Sequence, residues 1–247
     1  MPWTTTAPDV APAGGHVAGD ADLARVAGLV GDPTRAAMLV ALLDGRPRTA
    51  GELGRLGGVA PSTASGHLAQ LLDGGLVCCR ADGRRRLYRL ASPETAELLE
   101  TLARLAPPTR PRSLRGVDRA QALRTARLCY DHLAGVLGVA VTEGLVERGV
   151  LVVLPDGASF DVTPAGETWL GGLGVDVAAA RRRRRSFARA CLDWSERRPH
   201  LAGAVGAGVA RAFLGHGWVA RRPDDRALVV TAAGRQAIWR ELAIRLD

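Results

Sequence analysis

No lysine occurs anywhere in this 247-residue chain; all 33 basic side chains are arginine. A Schiff-base enzyme and a phosphate loop ending in Gly-Lys-Ser/Thr both need a lysine, so pyridoxal chemistry and ordinary P-loop NTP hydrolysis are excluded. A GC-rich genome accounts for such a bias, and so does a surface tuned to planar oxyanions, which arginine grips in a bidentate fork. Aromatic residues are scarce as well, at 4% against 47% hydrophobic, so the core must be built from Leu, Ala and Val, a composition that favours helices. No uncharged apolar run reaches the roughly 18 residues of a membrane helix; the stretch Pro199–Ala210 has 12. Four cysteines without a signal peptide indicate a reduced, cytoplasmic protein with no membrane association. Neither a Gly-x-Ser-x-Gly elbow nor a His-Glu-x-x-His helix is present, and no enzymatic activity is expected.

What the chain has is a formal charge of +8, unevenly placed. Residues 1–110 hold 12 Arg against 11 Asp and Glu, whereas residues 111–247 hold 21 against 14. Residues 1–19 are rich in Pro, Gly, Ala and Thr and read as a mobile tail. From Asp20 helical patterns follow one another. Asp32 and Pro33 open one helix and Gly45 ends it; Thr49–Leu56 forms a second; Pro61–Gly75 forms a third. In that third helix Ala64, Leu68, Leu71 and Leu72 mark the buried face, leaving Ser62, Thr63, Gly66, His67 and Gln70 largely to the others. Leu76–Arg80 and Arg85–Leu90 read as strands around an Asp82-Gly83 turn, and a helix runs from Pro93 to about Leu105. This order is that of a winged helix–turn–helix. The expected fold is mainly α with small β-hairpins: a winged helix–turn–helix over 20–105, a linker over 106–116, and a C-terminal domain over 117–247.

A winged helix reads DNA with the N-terminal part of its recognition helix. Ser62, Thr63, Ser65, His67 and Gln70 are therefore the candidate contacts, although Ser65 could equally bond back to its own helix. The wing carries Arg80, Arg84, Arg85, Arg86 and Arg89 against Asp82. Strand alternation places Arg84 and Arg86 on one face, and these two are assigned to the DNA backbone or minor groove.

Gly-Asp-Pro-Thr-Arg from residue 31, Ser-Thr-x-Ser-x-His-Leu from 62, Gly-Leu-Val from 75 and Asp-Gly-Arg from 82 resemble the DNA-binding core of ArsR-type (ArsR/SmtB-like) bacterial repressors. Gly66 departs from the family, which usually places a larger polar residue there. The resemblance covers roughly residues 20–105. It implies a homodimer on an inverted-repeat operator in double-stranded DNA, with a seam made by the first helix and by Pro93–Leu105. It also implies two places for a metal: a cysteine pair on the helix here reading GELGRLGG, and Asp and His on the helix here reading SPETAELLETLARL. The first lacks cysteine and the second lacks histidine, so no metal is expected at the usual family sites.

The C-terminal half repeats itself. His132-Leu133-Ala134-Gly135 recurs as His200-Leu201-Ala202-Gly203, and 13 of the 35 positions from 132 to 166 are identical to 200–234 without a gap. Cys129 and Cys191 also correspond if six residues are inserted before His200. Two tandem helix–hairpin–helix repeats are therefore expected, about 129–175 and 191–247, with winged-helix-like hairpins near Asp156 and Asp224. The candidate effector residues are Cys129, His132, Cys191, Asp193, Trp194 and His200. Three readings stand side by side. An organic effector bound in this module releases the repressor from DNA, with Trp194 as a pocket wall. A metal or thiol response works through Cys129, His132, Cys191 and His200. Alternatively the half only builds the oligomer, with Cys and His packed at helix starts and the acids paired to Arg189, Arg197 or Arg198. The run Arg181–Arg185 reads as a solvated face or as extra DNA contact.

Overall fold

The computed structural model describes residues 2–4, 21–107, 109–111 and 113–245. Most of the expected 1–19 tail lies outside these. Two compact units divide between Leu99 and Glu100. That boundary falls inside a helix rather than in the Pro- and Arg-rich stretch after it.

The first unit is built from α1 (Leu23–Gly31), α2 (Pro33–Ala41), β1 (Arg48–Thr49), α3 (Ala50–Gly57), α4 (Pro61–Asp73), β2 (Val77–Asp82), β3 (Arg85–Leu90) and the start of α5 (Pro93–Leu105). Local chemistry sets the ends. Asp32 accepts from the Arg35 amide ahead of Pro33, and Thr49 and Glu52 form a reciprocal capping box on α3. Met38, Leu39, Leu53, Leu68 and Leu71 are fully buried and make the core from which α3 and α4 take their angle. The sheet order is β1-β3-β2, with β2 and β3 antiparallel from Val77↔Leu90 to Asp82↔Arg85. Gly83 at φ +59° makes the two-residue turn possible, because side-chain-bearing residues rarely adopt that angle.

A short piece of the expected mobile tail is in fact pinned. Thr4 pairs with Cys79 on the free edge of β2, and Trp3 lies 4.8 Å from the Arg80 guanidinium and 4.5 Å from that of Arg89. An open strand edge and two stacked cations outweigh the composition of the segment.

The second unit continues with α6 (Leu114–Thr125), β4 (Arg127–Cys129), β5 (His132–Ala134), α7 (Gly135–Glu147), β6 (Leu151–Val153), β7 (Phe160–Val162), α8 (Pro164–Gly172) and α9 (Val177–Arg181). There follow β8 (Arg189–Leu192), β9 (Pro199–Ala202), α10 (Gly203–Gly215), β10 (Val219–Arg221), β11 (Leu228–Val230) and α11 (Ala232–Leu242). The order hairpin, helix, hairpin, helix thus occurs twice. Hairpins do stand around Asp156 and Asp224, and Thr163 and Thr231 cap the helices that follow by accepting from the Gly166 and Gly234 amides.

The two runs hold each other. The loop before β7 bridges to β8 at Ser159↔Arg189, and the segment before β11 bridges to β4 at Ala227↔Arg127. Helices α7 and α10 are buried on nearly every side, around a core of Leu128, Leu137, Val141, Leu145, Leu170, Val205, Phe213 and Ile238.

Close approach requires glycine at several positions of this unit, Gly138 and Gly206 among them. A Cβ on Gly138 would sit 2.5 Å from the Leu133 carbonyl oxygen, and one on Gly206 would sit 2.3 Å from that of Leu201. These glycines let α7 lie against the side chain of His200 and α10 against that of His132.

Candidate functional site

Helix α4 presents Ser62, Thr63, Ser65, Gly66 and Gln70 to solvent, as its buried Ala64, Leu68 and Leu71 require. No side chain caps its start at Ala60, so its first amides are open to an anion such as a phosphate. The exposed Ser65 hydroxyl donates to the Pro61 carbonyl at 2.9 Å, the internal helix bond that its sequence position allows. Gln70 is engaged as well, accepting from Arg35. His67 is half-buried and turned toward the start of α2, its Nδ1 3.7 Å from an Asp32 carboxylate oxygen.

On the wing, Arg84, Arg85 and Arg86 are exposed. Arg84 belongs to the turn and not to the strand, because Asp82 pairs directly with Arg85; the alternation argument therefore does not govern it. Arg86 lies on β3 and donates to the Cys79 sulfur at 3.3 Å. A groove of about 380 Å³ runs between α3, α4 and the wing, lined by Thr49, Ser65, Arg85 and Arg86 among others.

The second constellation is buried. Cys129 and His132 are cross-strand partners in the β4–β5 hairpin, and Cys191 and His200 are partners in β8–β9. The expectation that these residues pack at helix starts is corrected: they stand on the strands that precede α7 and α10. One ligand atom from each of the four lies within 4.8 Å of all the others, with the two sulfurs 4.0 Å apart and the imidazole centroids 5.1 Å apart. Relative exposures are 2%, 4%, 7% and 0%.

Behind each histidine stands an aspartate. Asp131 meets His132 Nδ1 at 3.3 Å and is gripped by Arg185. Asp193 Oδ2 lies 3.2 Å from His200 Nδ1, in charge contact but not aligned for a hydrogen bond. Asp193 is also held by Arg127 at 2.8 Å and by the amides of Gly135, Ser195 and Glu196. Arg127 is fully buried, with its guanidinium 4.6 Å from the Trp194 ring. Asp193 therefore pairs with Arg127 and Asp131 with Arg185, while Arg198 pairs with Glu143 of α7.

These contacts set the charge states. Burial pushes the Asp131 carboxyl up, but hydrogen bonds from His132 and Arg185 outweigh it and hold the group down at about 2. Asp193 is likewise penalised by burial and brought well below the carboxylate range by His200 and Arg127. The Cys129 thiol is pushed up by its contact with Cys191 and by burial. The Cys191 thiol is held low by Cys129 and then by the two histidines.

Of the six candidate effector residues, four converge as donors, while Asp193 and Trp194 stand behind them as supports. Trp194 is half-buried, with the Arg127 guanidinium stacked on its ring. A cleft of about 270 Å³ in this unit is lined instead by Asp176, Arg183, Arg211 and small residues. Within the arginine run, Arg181 pairs with Asp161 and Glu167, and Arg185 with Asp131. Arg182, Arg183 and Arg184 stand exposed. Among the described residues, no helix is long and apolar enough to cross a membrane.

Residues 30–80 match the model of a helix-turn-helix domain. The HTH-type transcriptional regulator CmtR of Mycobacterium bovis is 40% identical over 83 residues, 34% of this chain and 70% of that protein. Among solved structures, the NMR structure of the cadmium metal-sensor CmtR from Mycobacterium tuberculosis is 34% identical, covering 36% of this chain and all of that one, with a TM-score of 0.28. The HTH-type transcriptional regulator YdfF of Bacillus subtilis is 40% identical over 225 residues, which are 91% of this chain and 99% of that protein. With such identity along nearly the whole of both chains, the protein belongs to the HTH-type transcriptional regulators.

Proposed function

We propose that this regulator is a dimeric ArsR-type repressor that binds an inverted-repeat operator and leaves it when the C-terminal unit changes state. The observation that carries this is the polar N-terminal half of α4 beside a wing whose Arg84, Arg85 and Arg86 are all exposed. Ser62 and Thr63 supply hydroxyls for base edges or phosphates, and the wing arginines supply phosphate contacts. Ser65, His67 and Gln70 reach DNA only by giving up or adjusting the contacts described above.

Dimerisation through α1 and α5 is supported by apolar surface left uncovered in a single chain. None of the residues of α1 is buried, and Leu23 and Leu105 are 75% and 79% exposed. The C-terminal unit is read as an internal duplication, supported by the doubled element order and by the reciprocal bridges at Ser159↔Arg189 and Arg127↔Ala227. Its response centre is the thiol–imidazole cluster, the one group of candidate effector residues whose donor atoms converge. This favours the metal- or thiol-responsive reading over an organic effector beside Trp194.

The test is a gel-shift titration on the promoter beside the protein's own gene. Wild type should shift that DNA at modest salt, and the Arg84→Ala/Arg86→Ala double variant should bind more weakly with a salt dependence reduced by about two units. Wild type behaving like the double variant overturns the repressor reading.

A further inference from the structure

We propose that Cys129, His132, Cys191 and His200 form a closed four-coordinate site for a thiophilic d10 divalent cation of the zinc class. The donors come as two matched pairs, each a cysteine and a histidine facing one another across a short hairpin. Zinc–sulfur bonds near 2.3 Å and zinc–nitrogen bonds near 2.0 Å place tetrahedral donors about 3.3–3.8 Å apart. A cluster whose ligand atoms lie within 4.8 Å, with the sulfurs at 4.0 Å, needs a contraction of only about 1 Å to meet that geometry.

A second, independent observation points to an occupant. His132 Nε2 and both ring nitrogens of His200 are buried without a hydrogen-bond partner. Orphaned buried polar atoms are costly, and coordination satisfies them. The surroundings are those of a metal ligand set. Asp131 at His132 Nδ1 and Asp193 near His200 Nδ1 leave Nε2 of each imidazole as the inward donor, and each carboxylate is anchored by its own arginine. Two thiolates neutralise a divalent charge inside the fold, and sulfur donors select zinc or cadmium over calcium or magnesium. With four protein donors there is no open position for substrate, so the site is a clamp between the two hairpins.

The regulatory consequence rests on the chain being a DNA-binding repressor; binding of the metal does not. Full-length protein purified with reductant and reconstituted with zinc should hold about one metal per chain. Cobalt in its place should give the intense visible bands of a tetrahedral thiolate site. Cys191→Ala should abolish both signals, whereas Cys191→His, which restores a fourth donor, should retain the metal and shift the cobalt bands. The Arg84→Ala/Arg86→Ala variant should bind metal like wild type while binding DNA more weakly, so failure of the two readings can be told apart. Fully reduced wild type that takes up no zinc, a weak six-coordinate cobalt spectrum, or metal content unchanged in Cys191→Ala would each overturn the site. A Cys129–Cys191 disulfide that forms equally fast with and without zinc would overturn it as well, since bound thiolates must be protected.

Discussion

In the first unit Arg84, Arg85 and Arg86 of the wing stand in solvent, and the buried acid–base contact is local: Asp44 is held by Arg48 four residues on and by Arg46. In the second unit the buried pairs span the chain. Arg127 meets Asp193 from 66 residues away, and Arg226 meets Glu100 from 126 away. A surface meant for DNA must keep its cations hydrated and free to exchange counterions. A unit that holds its polarity inside uses charge to fix geometry, at a desolvation cost that only complete pairing offsets. On the proposed reading the same residue type serves two purposes in one chain, and the effects of mutation should separate accordingly.

The largest effect is expected at Arg127. Arg127→Met leaves Asp193 buried with its amide partners but without its countercharge, and should cost about 3–5 kcal/mol. Tryptophan fluorescence in urea is the readout, because Trp169, Trp194, Trp218 and Trp239 all lie in the second unit. A loss below about 1 kcal/mol would mean that the buried pair is dispensable and the contrast between the units superficial.

Glycine gives the next contrast, with opposite signs in the two units. Gly206→Ala pushes a Cβ to 2.3 Å from the Leu201 carbonyl oxygen and should destabilise by about 1–3 kcal/mol. Gly66→Ala, in the recognition helix with nothing within 4 Å, should stabilise by about 1 kcal/mol. Equal signs in paired denaturation curves would break the comparison.

Arg84→Ala should leave thermal stability within about 0.5 kcal/mol of wild type, as for surface positions generally. It should lower the salt slope of DNA binding by about one unit. A stability change larger than that of Gly206→Ala would place Arg84 among the structural residues.

How far these differences could be read from the sequence follows from the range of the interactions. The first unit announces itself through local chemistry: Asp32-Pro33, the Thr49/Glu52 box and Asp82-Gly83 each specify an element within four residues of themselves. The repeated His-Leu-Ala-Gly and the turns at Asp156 and Asp224 were visible for the same reason. The β4–β5 and β8–β9 hairpins were not, because their strands of three and four residues carry no usable alternation. Cys129, His132, Cys191 and His200 could be named from the repeat, but their convergence depends on pairings such as Arg127↔Ala227, 100 residues apart. For Asp193 the nearby arginines were the natural partners, and the actual partner is Arg127, which tertiary packing alone brings into contact. Its signal in the sequence was only its place directly before the Leu-Cys that leads into the first hairpin.

The smallest effect tests whether the first unit's charges matter for stability at all. In the α3 capping box Glu52 accepts from the Thr49 amide and hydroxyl, each at 2.7 Å, and these bonds hold its carboxyl below the ordinary value of 4.5. A depressed folded-state value means that the unfolded chain binds the proton more tightly. The contribution of Glu52 is therefore complete above about pH 5 and declines as the pH falls through the folded value. Thr49→Ala should cost about 1 kcal/mol at neutral pH by removing the cap to the Glu52 amide. Glu52→Gln should cost less, since the amide oxygen still accepts from Thr49, and should flatten the acid limb of the stability curve below about pH 5. If the acid limb is unchanged in Glu52→Gln, the acid loss of stability arises at other carboxylates, such as Asp32 and Asp44.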